Sequence, residues 1–251
     1  MGLFSFLFRR AVQKAIVPER KRCGAVVAAA GRSERMGGGD KLFAPLLGVP
    51  VLEYTLRALE ACPDVDEIVV AAAEENILAV GDIARNAGLA KVTKIVRGGE
   101  TRLDSVLAGM AELTPGCGLI AIHDGARPLA SPELMSGVIQ TAAVHGAAAP
   151  AVAPKDTVKE AQDGTVRRTV PRDDLRLVQT PQVFDAALIK AALHKARQQR
   201  LRITDDCSAV ESLGMTVRLT QGSYENVKVT TPEDLLVAEA LMRSRMTGRL
   251  P

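Results

Sequence analysis

The segment Ala28-Ala29-Ala30-Gly31-Arg32-Ser33-Glu34-Arg35-Met36-Gly37-Gly38-Gly39-Asp40-Lys41 carries the residues best suited to chemistry in this 251-residue chain. Small side chains ahead of Gly31 let a base or ribose lie against the backbone, and glycines let successive amides point at phosphate oxygens. Arg35 and Lys41 add fixed positive charge of the kind that holds the tail of a triphosphate. Two commoner phosphate motifs fail on spacing. A Walker A loop needs Gly-Lys followed by Ser or Thr, but Lys41 stands between Asp40 and Leu42. A dinucleotide fingerprint needs Gly-x-Gly-x-x-Gly, which Gly31-Arg32-Ser33 does not supply. The bland alternative is a glycine loop with incidental basic residues, because a glycine-rich match alone is weak.

Two more clusters follow. In Gly98-Gly99-Glu100-Thr101-Arg102, continued by Asp104-Ser105, backbone amides and the Ser105 hydroxyl could read the edge of a base. Taken alone, that segment is simply a turn and a helix cap. His123-Asp124-Gly125-Ala126-Arg127-Pro128 puts an acid beside an arginine. Asp124 suits a ribose hydroxyl or a metal-bound water, and Arg127 the phosphate of a second substrate. The alternative is an ion pair that steadies a loop and contributes little else.

The elements that must position these clusters alternate regularly. Apolar runs at Ala25–Ala30, Val65–Ala73, Val92–Val96, Leu119–Ile122 and Ala147–Val152 read as strands. Between them, helical patterns run through Leu52, Leu56 and Leu59, over Ile77–Ala87 and over Ser105–Leu113. Ser131-Pro132-Glu133 has the cap, first-turn proline and first-turn acid of a further helix. Repeated βα units predict a mainly parallel sheet with right-handed crossovers, so all three clusters fall at carboxyl ends of strands, where such sheets bind ligands. After Pro154 the rhythm breaks: Thr157-Val158-Lys159 and Val166–Val170 flank Asp163-Gly164, which predicts a projecting hairpin. Helices from Asp185 and Thr204, strands at Met215–Leu219 and Val227–Val229, and a last helix opened by Thr231-Pro232-Glu233-Asp234 complete the pattern. The expected organisation is a basic tail over residues 1–21 and one domain over 22–251, with the arm at about 154–173.

Composition narrows the function classes. Aromatic residues make up 3% and Trp is absent, so packing relies on Ala, Val and Leu, as suits a sheet covered by helices. Of the net +3, residues 1–22 hold Arg9, Arg10, Lys14, Arg20, Lys21 and Arg22 against Glu19 alone, a surplus of five that leaves the remainder at −2. Such a body argues against nucleic acid as substrate. Cys23, Cys62, Cys117 and Cys207 form no Cys-x-x-Cys pair, and the three histidines form no His-Glu-x-x-His, so no protein-built metal site is expected. Free thiols suit a reducing cytoplasm. In the tail, Leu3, Phe4, Phe6, Leu7 and Phe8 precede the positive charges, the reverse of a secretory signal. At helical spacing the tail is amphipathic, which allows either packing on its own protein or weak contact with a membrane surface.

The order of these motifs resembles the 2-C-methyl-D-erythritol 4-phosphate cytidylyltransferase family of the non-mevalonate isoprenoid pathway. The resemblance spans roughly residues 22–243 and continues through Asp156-Thr157-Val158-Lys159, Arg172, Gln179-Thr180-Pro181-Gln182, Ile203-Thr204-Asp205-Asp206 and Asn226-Val227-Lys228-Val229-Thr230. It implies a Rossmann-like nucleotidyltransferase fold and a homodimer whose arms reach each other's active sites. By motif position, Ala29, Ala30, Gly99, Glu100 and Ser105 would surround cytosine, and Gly31, Asp124 and Gly125 would face the ribose. Arg35, Lys41 and Lys228 would hold the triphosphate of CTP. Arg127 and Thr204, with Thr157 and Arg172 of the other subunit, would receive methylerythritol phosphate. Glu100 departs from the Asp often found there, and the tail lies outside the family core. Mg²⁺, held mainly by nucleotide phosphates and water, is the implied cofactor. A ribitol 5-phosphate cytidylyltransferase, a sugar-1-phosphate or molybdopterin nucleotidyltransferase, and a nucleotide-binding regulatory protein without activity are the alternatives.

Overall fold

The computed structural model describes residues 20–31 and 40–248. Most of the basic tail, and the glycine segment with Arg35, lie outside the described residues. Strand β1 (Cys23–Ala29) is buried on both faces and pairs in parallel with β4 (Glu67–Ala72) and β6 (Leu119–Asp124). Strand β5 (Val92–Arg97) extends the sheet beyond β4 as a partly exposed edge. A small hairpin, β2 (Pro45–Leu46) and β3 (Val49–Pro50), precedes helix α1 (Val51–Ala61). Helices α2 (Ile77–Asn86), α3 (Arg102–Ala111) and α4 (Pro132–His145) make the crossovers, and β7 (Ala147–Val152) follows α4.

The continuous apolar runs form strands because both faces are covered. On one side, Leu52, Leu56 and Leu59 of α1 and Met135, Val138 and Ile139 of α4 pack against Ala25, Val27, Ile68 and Val70. On the other, Val106 and Met110 of α3 join Ile189 and Leu193 of α5 (Ala186–Gln198) and Val210 of α6 (Asp206–Glu211) against Val26, Ile120, Ile122 and Phe184. The expected caps form. Ser131 accepts from Leu134 N–H at 3.2 Å to start α4, and Asp185 accepts from Ala187 N–H at 3.0 Å to start α5. Helix α7 (Pro232–Met246) opens with Asp234 accepting from the amides of Thr230 and Thr231 at 2.8 and 2.9 Å.

The structure departs from the sequence pattern in four places. Between β6 and β7 lies an antiparallel line made of β10 (Leu177–Val178) and β11 (Gln182–Asp185), interrupted at residues 179–181. Its apolar content is too brief to register as a strand. Val227–Val229, expected to be a strand, is irregular chain outside the sheet; Val229 N–H bonds to Ala126 O at 2.8 Å. The outer strand is instead β12 (Arg218–Gln221), parallel to β7 and displaced toward the C-terminus from the expected Met215–Leu219. The helix expected from Thr204 starts at Asp206, because Asp205 takes the cap position and accepts from Ser208 N–H at 2.9 Å.

The projecting hairpin is present. Strands β8 (Val158–Gln162) and β9 (Thr165–Val170) pair only with each other, and most of their residues are exposed. Asp163 and Gly164 turn the chain with φ of 50° and 75°, as an Asp-Gly turn of the mirror-image type requires. Among the described residues no helix is long and apolar enough to cross a membrane.

Candidate active site

The described parts of the three clusters lie at the carboxyl ends of β1, β5 and β6. At the end of β1 Ala29 is buried, and beyond it Ala30 is half-buried and Gly31 is exposed. The loop after β5 closes onto it: Gly98 N–H bonds to Ala72 O at 2.7 Å. A Cβ on Gly98 would lie 2.3 Å from Ala30 Cβ, and one on Gly99 would lie 2.2 Å from Asp104 Cβ. Only glycine allows this double approach.

Ser105 is buried beneath the loop. Its hydroxyl donates to Thr101 O at 2.9 Å and accepts from Gly99 N–H at 3.1 Å. Thr101 caps α3 by accepting from Asp104 N–H at 3.1 Å. Ser105 therefore shapes the loop, and the exposed edge belongs to Gly99 and Glu100.

Strand β6 ends in the most highly charged part of the site. The Asp124 side chain, 8% exposed, faces Lys228 Nζ at 2.9 Å, Arg127 Nε at 3.4 Å and Arg102 Nε at 3.6 Å. Burial alone would raise its carboxyl, but Lys228, Arg102 and Arg127 outweigh burial and hold it well below the usual carboxylate range. Arg102 forks onto Asp206 through Nη1 and Nη2 at 2.9 and 2.7 Å. Burial opposes the charge on Arg102, yet Asp206 and Asp124 together push its pKa up. Arg127 also donates from Nη1 to Asn226 O at 2.7 Å.

Beneath Asp124, its own N–H bonds to Thr180 Oγ1 at 3.1 Å, and Thr180 Oγ1 meets His123 Nδ1 at 2.9 Å. Complete burial pushes His123 down to about 3, so the ring is neutral at physiological pH. Gly125 N–H bonds to Ala28 O at 3.0 Å, tying the residue after β6 back to the end of β1.

Lys41 is half-buried where the described chain resumes after residue 39. Its neighbour Asp40 accepts from Leu42 N–H at 3.0 Å and from Asn76 Nδ2 at 2.8 Å, which fixes the backbone around it. Thr204 is exposed beside α6. Thr157 and Arg172 lie apart from the cluster on the exposed arm and its return, with Arg172 Nη1 donating to Lys155 O at 2.9 Å. Sequence reasoning assigned no role to Arg102, Asp206, Gln179, Thr180 or Asn226. Their motifs were visible, but the bonds they make cross as many as 104 residues.

Comparison with known proteins agrees with this geometry. A family model for 2-C-methyl-D-erythritol 4-phosphate cytidylyltransferase matches residues 23–244. The protein of that name from Pelotomaculum thermopropionicum is 50% identical over 233 residues, covering 91% of this chain and 97% of the relative. Another of that name from Dehalococcoides mccartyi is 44% identical over 224 residues, covering 89% and 97%. The crystal structure of 4-diphosphocytidyl-2C-methyl-D-erythritol synthase from Anaerococcus prevotii superposes with a TM-score of 0.77 at 33% identity, covering 90% of this chain and 100% of that one. With the match running from β1 through the site to α7, the chain belongs to the 2-C-methyl-D-erythritol 4-phosphate cytidylyltransferase family.

Proposed function

We propose that this protein transfers the cytidylyl group of CTP to 2-C-methyl-D-erythritol 4-phosphate, giving 4-diphosphocytidyl-2-C-methyl-D-erythritol and pyrophosphate. The observation that carries this reading is the cluster of Asp124, Lys228, Arg127 and Arg102 at the end of β6, beside β1 and the glycine turn after β5, in a chain of this family. An acceptor phosphate oxygen attacks the α-phosphorus in line, a new P–O bond forms, and the bond to pyrophosphate breaks. Phosphate is already an anionic nucleophile, so no general base is needed; the site must bring two anions together and stabilise the charge that develops.

In this reading Ala29, Ala30, Gly99 and Glu100 face cytosine, with Ser105 holding the loop, while Gly31, Asp124 and Gly125 face the ribose. Arg35, Lys41 and Lys228 hold the triphosphate, and Arg127 and Thr204 receive the acceptor. Among the described residues no group of three or more His, Cys, Asp or Glu could hold a metal ion, and Asp124 is engaged by three cations. With Asp124 so engaged, Mg²⁺ in this reading would be held by phosphate oxygens and water and would supply charge neutralisation there. Purified protein should release pyrophosphate with CTP and methylerythritol 4-phosphate, and excess EDTA should abolish release. Equal release with ribitol 5-phosphate would overturn the acceptor assignment, and undiminished release in EDTA would overturn the metal.

The arm supports a homodimer in which Thr157 and Arg172 complete the partner's site. It buries little against its own chain, and Val166 and Leu177 are exposed large apolar residues on it and beside it. Lys41→Ala and Arg172→Ala variants, each inactive, should regain about a quarter of wild-type activity when refolded together in equal amounts, because half the dimers then carry one intact site. Recovery no greater than the sum of the separate variants would exclude exchange. The free cysteines Cys23, Cys62, Cys117 and Cys207 support a cytoplasmic location.

A further inference from the structure

The segment carrying Lys228 is irregular chain outside the sheet, yet its ammonium lies 2.9 Å from Asp124. A side chain with this much rotamer freedom needs its backbone fixed if it is to hold a charge in one place. The fixing comes from Gln179, in the break between β10 and β11. Gln179 Nε2 donates to Ser223 O at 2.8 Å, and its Oε1 accepts from Ser223 N–H at 3.2 Å and from Asn226 Nδ2 at 3.3 Å. One side-chain amide thus binds the loop as a neighbouring strand would. Its own backbone is anchored through Gln179 N–H to Pro150 O at 2.8 Å.

Gly222 makes this approach feasible, since a Cβ there would lie 2.7 Å from Gln179 Oε1 and 2.9 Å from Ala151 O. Asn226 carries the connection onward. Its Nδ2 donates to Thr180 O at 3.0 Å, and its carbonyl receives Arg127. Thr180 in turn supports the Asp124 amide. Lys228 therefore sits between two clamped points, Asn226 and Val229, and two of the partners that hold Asn226, Thr180 and Arg127, also contact Asp124.

We infer that Gln179 and Asn226 are positioning residues for the transfer reaction: they set the Lys228 ammonium against Asp124 without touching substrate. This rests on the reading of Lys228 as a triphosphate-holding group. A residue kept only for packing would act independently of Lys228, whereas a positioning residue has nothing left to position once Lys228 is removed.

The test is a double-mutant cycle of Gln179→Met and Lys228→Ala, read as kcat/KM for CTP under saturating acceptor, with the melting temperature of each variant recorded. Gln179→Met should lose about tenfold, and the double variant should fall within about twofold of Lys228→Ala. Should Gln179→Met not fold, Asn226→Ser replaces it in the same cycle, because it removes the side-chain amide and keeps the carbonyl that Arg127 uses. Loss in the double variant equal to the product of the single losses would overturn the inference and leave the role of Lys228 standing. So would wild-type kinetics in Gln179→Met or its substitute. Wild-type kinetics in Lys228→Ala would overturn both.

Discussion

Lys41→Ala is expected to lower kcat for pyrophosphate release by about 10²- to 10³-fold, while KM for the acceptor stays within about threefold. The asymmetry follows from where charge develops. As pyrophosphate leaves, negative charge grows on the oxygen that bridged the α- and β-phosphorus and on the departing β-phosphate, and a cation held beside them is worth more in the transition state than in the bound substrate. Lys41 suits that task because Asp40, tied to Leu42 and Asn76, holds the adjoining backbone. Arg35→Ala should show the same pattern. Steady-state kinetics with each substrate varied in turn distinguishes the outcomes: unchanged kcat in both variants removes these residues from the reaction, and a rise in acceptor KM alone moves them to the acceptor side.

The second large effect is expected at Asp124. Asp124→Asn keeps the shape of the side chain and removes the charge that Lys228, Arg127 and Arg102 face. Removing one partner of a buried ion pair costs about 3–5 kcal/mol, and the lower end applies because Lys228 and Arg102 remain partly solvated. Loss of kcat/KM by about 10²-fold should accompany it, since Lys228 loses its counter-charge.

The pH dependence has a defined sign. The Asp124 carboxyl lies below its ordinary value of 3.8 in the folded protein, so its stabilising contribution is fully present above that value and is lost as pH falls through the folded value. The stability gap between wild type and Asp124→Asn, from urea denaturation, should be constant from about pH 8 to 5 and close below about pH 4. A gap that widens on acidification would contradict the assignment of the network to Asp124.

Much of the fold was legible in the sequence because its causes are local. The continuous apolar run through β1, the Ser131-Pro132-Glu133 helix start and the Asp163-Gly164 turn each act within a few residues, and each appears in the structure. Hence the sequence alone determined the βα rhythm, the loops that carry the site and the projecting arm, and the order of its motifs pointed to the family. The close approach at Gly98 and Gly99 was not legible in this way: the glycines read only as a turn or a row of amides, and the neighbours Ala30 and Asp104 appear only in the structure.

Tertiary structure decided what local pattern does not encode. Gln182–Asp185 becomes a strand because β6 and β7 leave an antiparallel slot between them, and Val227–Val229 does not because the edge beside β7 belongs to β12. Of the charge network, only the Asp124–Arg127 pair was legible, because its two residues are near in sequence; the rest was invisible for the same reason. Arg102 meets Asp206, and Lys228 meets Asp124, only once the sheet brings its strand ends together, and neither spacing has a period that sequence inspection can read. Residue types and local spacing set which elements form and which loops can hold phosphate. Which charges share one buried point is set by long-range packing, because an ion pair depends on distance in space and not on separation along the chain.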